Sequence, residues 1–193
     1  MAHSISRVVI VVATALAAIG GGAAHGQELT YADGASDVYL LQADNTATLY
    51  GDMVNTDVVS VLVDHRNRQI KAKFGFTDLA RTSQRFIAAL SVRTSDSRRY
   101  RVVVNALSSW RGEAAFETWN GKEIECASIH HAIDYDANTI ELALDTDCLE
   151  KPRWVQVGLV TASTPDGNTV YVDDAQRPDF PRWNVWSSKV RRG

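Results

Sequence analysis

Sulfur is scarce in this 193-residue chain, which has two cysteines, Cys126 and Cys148. Two are too few for a disulfide framework, and they lack the Cys-x-x-Cys spacing of a redox motif. Positive charge is not in excess either: 20 Lys and Arg stand against 23 Asp and Glu, a formal −3. Non-specific nucleic-acid binding wants a concentrated basic face, so no nucleic-acid partner is expected. After residue 26 no segment of ten or more residues keeps a helical period, and no second long apolar run follows the first. The chain also has no Gly-x-Ser-x-Gly elbow, no His-Glu-x-x-His and no Asp-x-Asp-x-Asp-Gly calcium loop. What is legible concerns fold far more than chemistry.

The first 26 residues read as an address. Met1 to Arg7 is short and weakly positive, Val8 to Ala18 is apolar, and Gly20 to Gly26 is rich in small residues. Ala24-His25-Gly26 places small residues at −3 and −1 of a cut before Gln27. This is the three-part layout of a secretory signal peptide, and its apolar run is short for a membrane span. An uncleaved membrane anchor is the alternative. The expectation is a signal peptide over 1–26 and one secreted domain over 27–193, with no membrane partner after cleavage. Loss of Arg7 takes the formal charge from −3 to −4, and the remaining chain of about 167 residues suits one domain with a sizeable core. In an exported chain, Cys126 and Cys148 are expected to form a disulfide, worth about 3 kcal/mol by loop-closure entropy.

The clearest pattern is Asp57 to Phe76, DVVSVLVDHRNRQIKAKFGF. Val59, Val61 and Val63 alternate with polar or outward positions; after His65-Arg66-Asn67-Arg68, so do Ile70, Ala72, Phe74 and Phe76. Period two sends alternate side chains to opposite faces, so the two halves predict a hairpin, with Asn67 suited to positive φ in its turn. The face carrying Lys71 and Lys73 offers room for a polar groove, with Asp64 and His65 at its rim. Residues 27–36 read as a loosely ordered lead-in, and Asp37 to Gln42 as a first strand. Thr77 to Arg81 suggests one helical turn. Phe86–Val92, Tyr100–Asn105 and Trp154–Val160 alternate as further strands. Asn120-Gly121 predicts a tight hairpin between Glu113–Trp119 and Lys122–Ala127, and residues 128–144 predict another. About nine to eleven short strands with little helix indicate an all-β protein, an antiparallel two-sheet β-sandwich of jelly-roll or immunoglobulin-like topology. Trp183 to Gly193 reads equally as a strand or a tail.

Three stretches carry a resemblance: the hairpin DVVSVLVDHRNRQIKAKFGFTDL, the segment Cys148-Leu149-Glu150-Lys151-Pro152-Arg153-Trp154-Val155, and the ending WSSKVRRG. Together they resemble a group of small secreted actinobacterial proteins of unassigned activity. The strand pattern is loosely similar to DOMON and family-9 carbohydrate-binding-module sandwiches, whose members bind sugars or haem. That second likeness concerns the fold pattern and transfers no binding residue.

Five tryptophans, Trp110, Trp119, Trp154, Trp183 and Trp186, give the main functional hint. Exposed indoles are flat apolar platforms for sugar rings. Trp154 opens an apolar strand and is expected in the core, whereas Trp110 and Trp119 flank turns and are the ligand-binding candidates. His130-His131 would point to opposite faces of a strand, which suits one buried and one exposed ring better than a metal. Asp145, Asp147, Asp166, Asp173, Asp174 and Asp179 sit on expected loops. Solvated turn aspartates are the plain reading and a structural calcium the alternative; no other cofactor is expected. The basic end, Lys189 to Arg192, reads as a solvated terminus. The sequence therefore indicates a secreted binding module, without catalytic residues, for a polysaccharide or cell-wall ligand. The alternatives are a hydrolase whose paired carboxylates are distant in sequence, or a purely structural or protein-interaction domain.

Overall fold

A computed structural model describes residues 26–42, 44, 46–81, 85–107, 109–177 and 185–193. The expected signal segment (apart from Gly26), Asp179 and Trp183 fall outside the described residues. In chain order the strands are β1 (Gln27–Ala32), β2 (Tyr39–Leu41), β3 (Ala47–Leu49), β4 (Val58–His65) and β5 (Gln69–Phe76). Then come β6 (Arg85–Thr94), β7 (Arg99–Ala106), β8 (Glu113–Thr118), β9 (Ile129–Asp134) and β10 (Thr139–Asp145). A 3-10 turn at Thr146–Leu149 leads to β11 (Trp154–Thr164), β12 (Val170–Asp174) and β13 (Val190–Arg191).

The strands form two antiparallel sheets. One has five strands in the order β1-β4-β5-β10-β9; the other runs β3-β2-β12-β11-β6-β7-β8, with β13 added beside β11. The all-β, two-sheet sandwich is as the alternation predicts. Its interior is filled from both sides: Val61, Val63, Ile70, Phe74 and Ile140 from one sheet, Leu90, Val102, Phe116 and Leu159 from the other, all at most 3% exposed. Each such side chain contributes about 1.5–3 kcal/mol relative to exposure, which is why period two in these strands fixes which face turns inward. Phe76 meets Phe86 edge-on across the core, with ring centroids 5.8 Å apart.

Several local expectations are corrected. The segment expected to be a lead-in forms β1, because Leu29 and Tyr31 alternate with Glu28 and Thr30 and pack against the core edge. In β4 a bulge between Val58 and Ser60 shifts the register, so Val58 rather than Val59 is fully buried. Asn67 is not at positive φ, and Thr77–Arg81 is not helical. The Asn120-Gly121 turn forms, with Gly121 at φ 79°, and the return pairs antiparallel over residues 122–124, through Thr118 N–H to the Lys122 carbonyl, a Glu117–Glu123 bridge and Ile124 N–H to the Phe116 carbonyl, but goes no further. The chain there leaves one sheet for the other, so Lys122–Ala127 never becomes a strand.

Candidate functional site

Strand β12 pairs with β11 only over Val160–Ser163, leaving the first half of β11 with an open edge. The C-terminal segment fills it. Ser187 N–H donates to the Val157 carbonyl at 2.8 Å, Val157 N–H donates to Ser187 Oγ at 3.0 Å, and Gln156 Nε2 donates to the Ser187 carbonyl at 2.7 Å. Three residues on, β13 pairs with Trp154 and Val155. The ending WSSKVRRG is thus an ordered strap. Its end meets β1, the edge strand of the opposite sheet, where Arg191 N–H donates to Gln27 Oε1 at 2.9 Å, while residues 185–188 stand off from that strand. Between them lies a cavity of about 540 Å3, walled by Leu29, Tyr31 and Trp186, with Asp33, Gln176 and Ser188 among its polar lining. The Gln176 amide is held by a 3.1 Å bond from Nε2 to the Val157 carbonyl. Its Oε1 and the Tyr31 hydroxyl interact without closing a well-aligned hydrogen bond, and burial pushes the Tyr31 hydroxyl pKa up.

Carboxylates gather at the end of the sandwich where β1 finishes and β4 begins. Register explains how. Tyr39 pairs with Val172, so Asp173 continues past the β2–β12 ladder toward Asp37. Asp33 follows β1 directly, its N–H bonded to the Val59 carbonyl at 3.1 Å. One oxygen from each of Asp33, Asp37 and Asp173 lies within 4.8 Å of the others. Asp33 Oδ1 accepts from Gly34 N–H at 3.0 Å and Asp173 Oδ2 from Val58 N–H at 2.7 Å. Asp33 Oδ2, Asp173 Oδ1 and both oxygens of Asp37 are buried without a partner.

Asp57 stands beside them with its oxygens already engaged. They accept Ser36 N–H at 3.0 and 3.1 Å and the Thr77 hydroxyl, which pins the 33–37 loop with Ser36 at φ 65°. Burial first, then the other aspartates, raises the pKa values of the three open carboxyls. Asp33 is pushed up to about 7, Asp173 to about 8, and Asp37 upward.

The sequence candidates are dispersed. Trp110 is 38% exposed and meets Tyr135 edge-on at 6.2 Å, while its carbonyl accepts the Tyr135 hydroxyl. Trp119 is half-buried, 6.0 Å from Trp186, with the Arg99 and Arg101 guanidiniums 5.7 and 5.9 Å from its ring centre. The two flank opposite ends of β8, about 20 Å apart at strand rise, and form no common platform. Trp154 is half-buried, not core, with Lys189 Nζ 4.3 Å above its ring. Cys126 and Cys148 form the expected disulfide.

His130 is exposed and His131 half-buried, its Nε2 donating to the Arg111 carbonyl at 3.0 Å. Asp166 is a solvated turn aspartate, accepting from Asn168, Thr169 N–H and the Thr169 hydroxyl, with its pKa drawn down to about 2. On the Lys71 face of the hairpin a trough of about 260 Å3 runs past Lys71, Glu141 and His130. Asp64 there is held by Arg66, and His65 turns inward to bond the Val190 carbonyl at 3.0 Å, so neither rims it.

The sequence reading missed Asp33, Asp37 and the wall residue Trp186 as a site. The signal available was Asp33 and Asp37 four apart around Gly34, and two aspartates closing the apolar run Val170-Tyr171-Val172. No protein-family model matches the chain, and no curated protein matches it.

Proposed function

We propose that this chain is a secreted, non-catalytic β-sandwich module that binds a carbohydrate or another cell-envelope component in the opening between β1 and the C-terminal strap. The observation that supports this reading is the Trp186 indole in the wall of a cavity of about 540 Å3. Ligand sites are concave and mostly apolar with a few polar groups, in volumes of roughly 300–1,000 Å3, which accommodates one or two sugar rings. The indole supplies the flat surface, and Asp33 and Ser188 supply groups that bond hydroxyls. Export fits the same picture, since a cut before Gln27 leaves all six β1–β4 pairs intact. The loose likeness to sugar- and haem-binding sandwiches points the same way.

The test is retention of the purified protein on insoluble glycans and isolated cell walls, beside Trp186→Ala and Trp110→Ala. Retention lost in Trp186→Ala and kept in Trp110→Ala is the expected result. Retention on none of the materials, or unchanged retention of Trp186→Ala, overturns the reading. A hydrolase is the second reading: Asp33 lines the opening with Oδ2 unpartnered, and burial pushes its carboxyl pKa up, the direction a general acid needs. Release of soluble sugar from the retained glycan, abolished by Asp33→Asn, would establish that activity.

A further inference from the structure

Asp37 is 8% exposed, and neither of its carboxylate oxygens has a hydrogen-bond partner. Asp173 is wholly buried, and its Oδ1 is likewise unpartnered. One carboxylate oxygen of each lies within 4.8 Å of the other and of an oxygen of Asp33. A buried charge is tolerated when it is paired, hydrogen-bonded or metal-coordinated, and the charges acting on these three groups are other aspartates. Left without a cation, the arrangement sets like charges against each other in a dry setting.

We propose that Asp33, Asp37 and Asp173 hold a calcium ion that ties the start of the β1–β2 loop to the end of β12. The donor set is entirely carboxylate oxygen, which selects a hard cation over zinc or copper, whose sites draw on nitrogen and sulfur. Calcium takes six to eight oxygens; the three carboxylates leave four unengaged, Asp33 Oδ2, Asp173 Oδ1 and both of Asp37, and water would complete the shell. Magnesium keeps several of its waters and dehydrates reluctantly, which the burial of Asp37 and Asp173 disfavours. Asp57 is not a ligand in this scheme. Its oxygens serve Ser36 N–H and the Thr77 hydroxyl, holding the loop so that Asp33 and Asp37 face one point. The proposal shares Asp33 with the lining of the carbohydrate cavity, but it concerns how the sandwich end is held, and calcium titration without glycan lets either reading fail alone.

The experiment is calorimetric titration of calcium chloride into chelator-treated protein, with thermal unfolding in calcium, in magnesium and in chelator. One calcium per chain is expected. At a hundredfold excess over Kd the unfolding temperature should rise by about 5–10 °C, with a smaller effect from magnesium. Asp37→Asn and Asp173→Asn should each weaken calcium tenfold or more, while Asp166→Asn, in an exposed turn, should bind as the parent does. If either buried variant fails to fold, Asp33→Asn carries the same measurement. Absence of heat and of any thermal shift overturns the proposal. So does calcium binding that is unchanged in the folded cluster variants.

Discussion

Two glycines test whether the strap is as firmly seated as its hydrogen bonds imply. A Cβ added at Gly158 would lie 2.5 Å from the Val185 carbonyl oxygen; one added at Gly75 would lie 2.4 Å from Ser60 Oγ. The overlaps are nearly equal, and what must yield differs. At Gly75 the obstacle is the end of a serine side chain, which swings away by a χ1 change. At Gly158 it is backbone, and β11 is fixed by its ten-pair ladder with β6, so the strap must move. That movement strains the three bonds joining Ser187 to Gln156 and Val157. At about 1 kcal/mol net each, offset by the lower entropy alanine leaves the unfolded chain, Gly158→Ala should lose about 2–3 kcal/mol. In a domain of this size that is about 5–10 °C in unfolding temperature. Gly75→Ala should stay within about 1 kcal/mol of the parent. Thermal unfolding followed by circular dichroism reads both, and hydrogen exchange at Val157 N–H should accelerate in Gly158→Ala alone. A Gly158→Ala protein that melts with the parent, or two variants that fall equally, would refute the reasoning.

Two further outcomes follow from bonds already described. The Cys126–Cys148 bridge closes a 22-residue separation, so the Cys126→Ser/Cys148→Ser double variant should lose about 3 kcal/mol in denaturant unfolding. Labelling of both thiols in the unreduced, denatured parent would refute the bridge. His65 is wholly buried with Nε2 unpartnered, and burial, together with Arg192, holds its pKa below 6.5 against the opposing pull of the Val190 carbonyl and Asp64. The unfolded chain therefore takes up the proton first as pH falls below about 6.5, and stability is lost on acidification through that window. The drop in unfolding free energy between about pH 7 and pH 5 should carry a component that His65→Gln lacks; identical pH profiles would show that the ring does not matter.

The fold was legible where burial is one-sided. Ile70, Ala72, Phe74 and Phe76 alternate without interruption, and the structure buries all four. It was least legible where pairing partners are remote or the chain changes sheets. Leu29 and Tyr31 carry the same period as β5, but over too short a run to stand out before β4 is known to lie beside them. The Asn-Gly turn after Thr118 makes the tight return its sequence predicts, but the partner strand stops after Ile124, because turn chemistry is local while the return strand's sheet is decided by tertiary packing. The bulge at Val58 has the same character: nothing in a run of valines says which one is skipped. The acidic end was harder still. Asp33, Asp37 and Asp173 are ordinary turn residues in one dimension, and only the β2–β12 register makes them neighbours.

That register also bears on the order of folding. Tyr39 and Val172 pair across more than 130 positions, whereas β4–β5, β6–β7 and β9–β10 each close over a short turn. Loop-closure entropy favours the short hairpins early and defers the long closure. The carboxylates then converge only after the barrier to folding has been crossed, when most apolar surface is already covered. Changes at Asp37 or Asp173 should accordingly alter how fast the sandwich comes apart and leave the speed of its assembly nearly untouched.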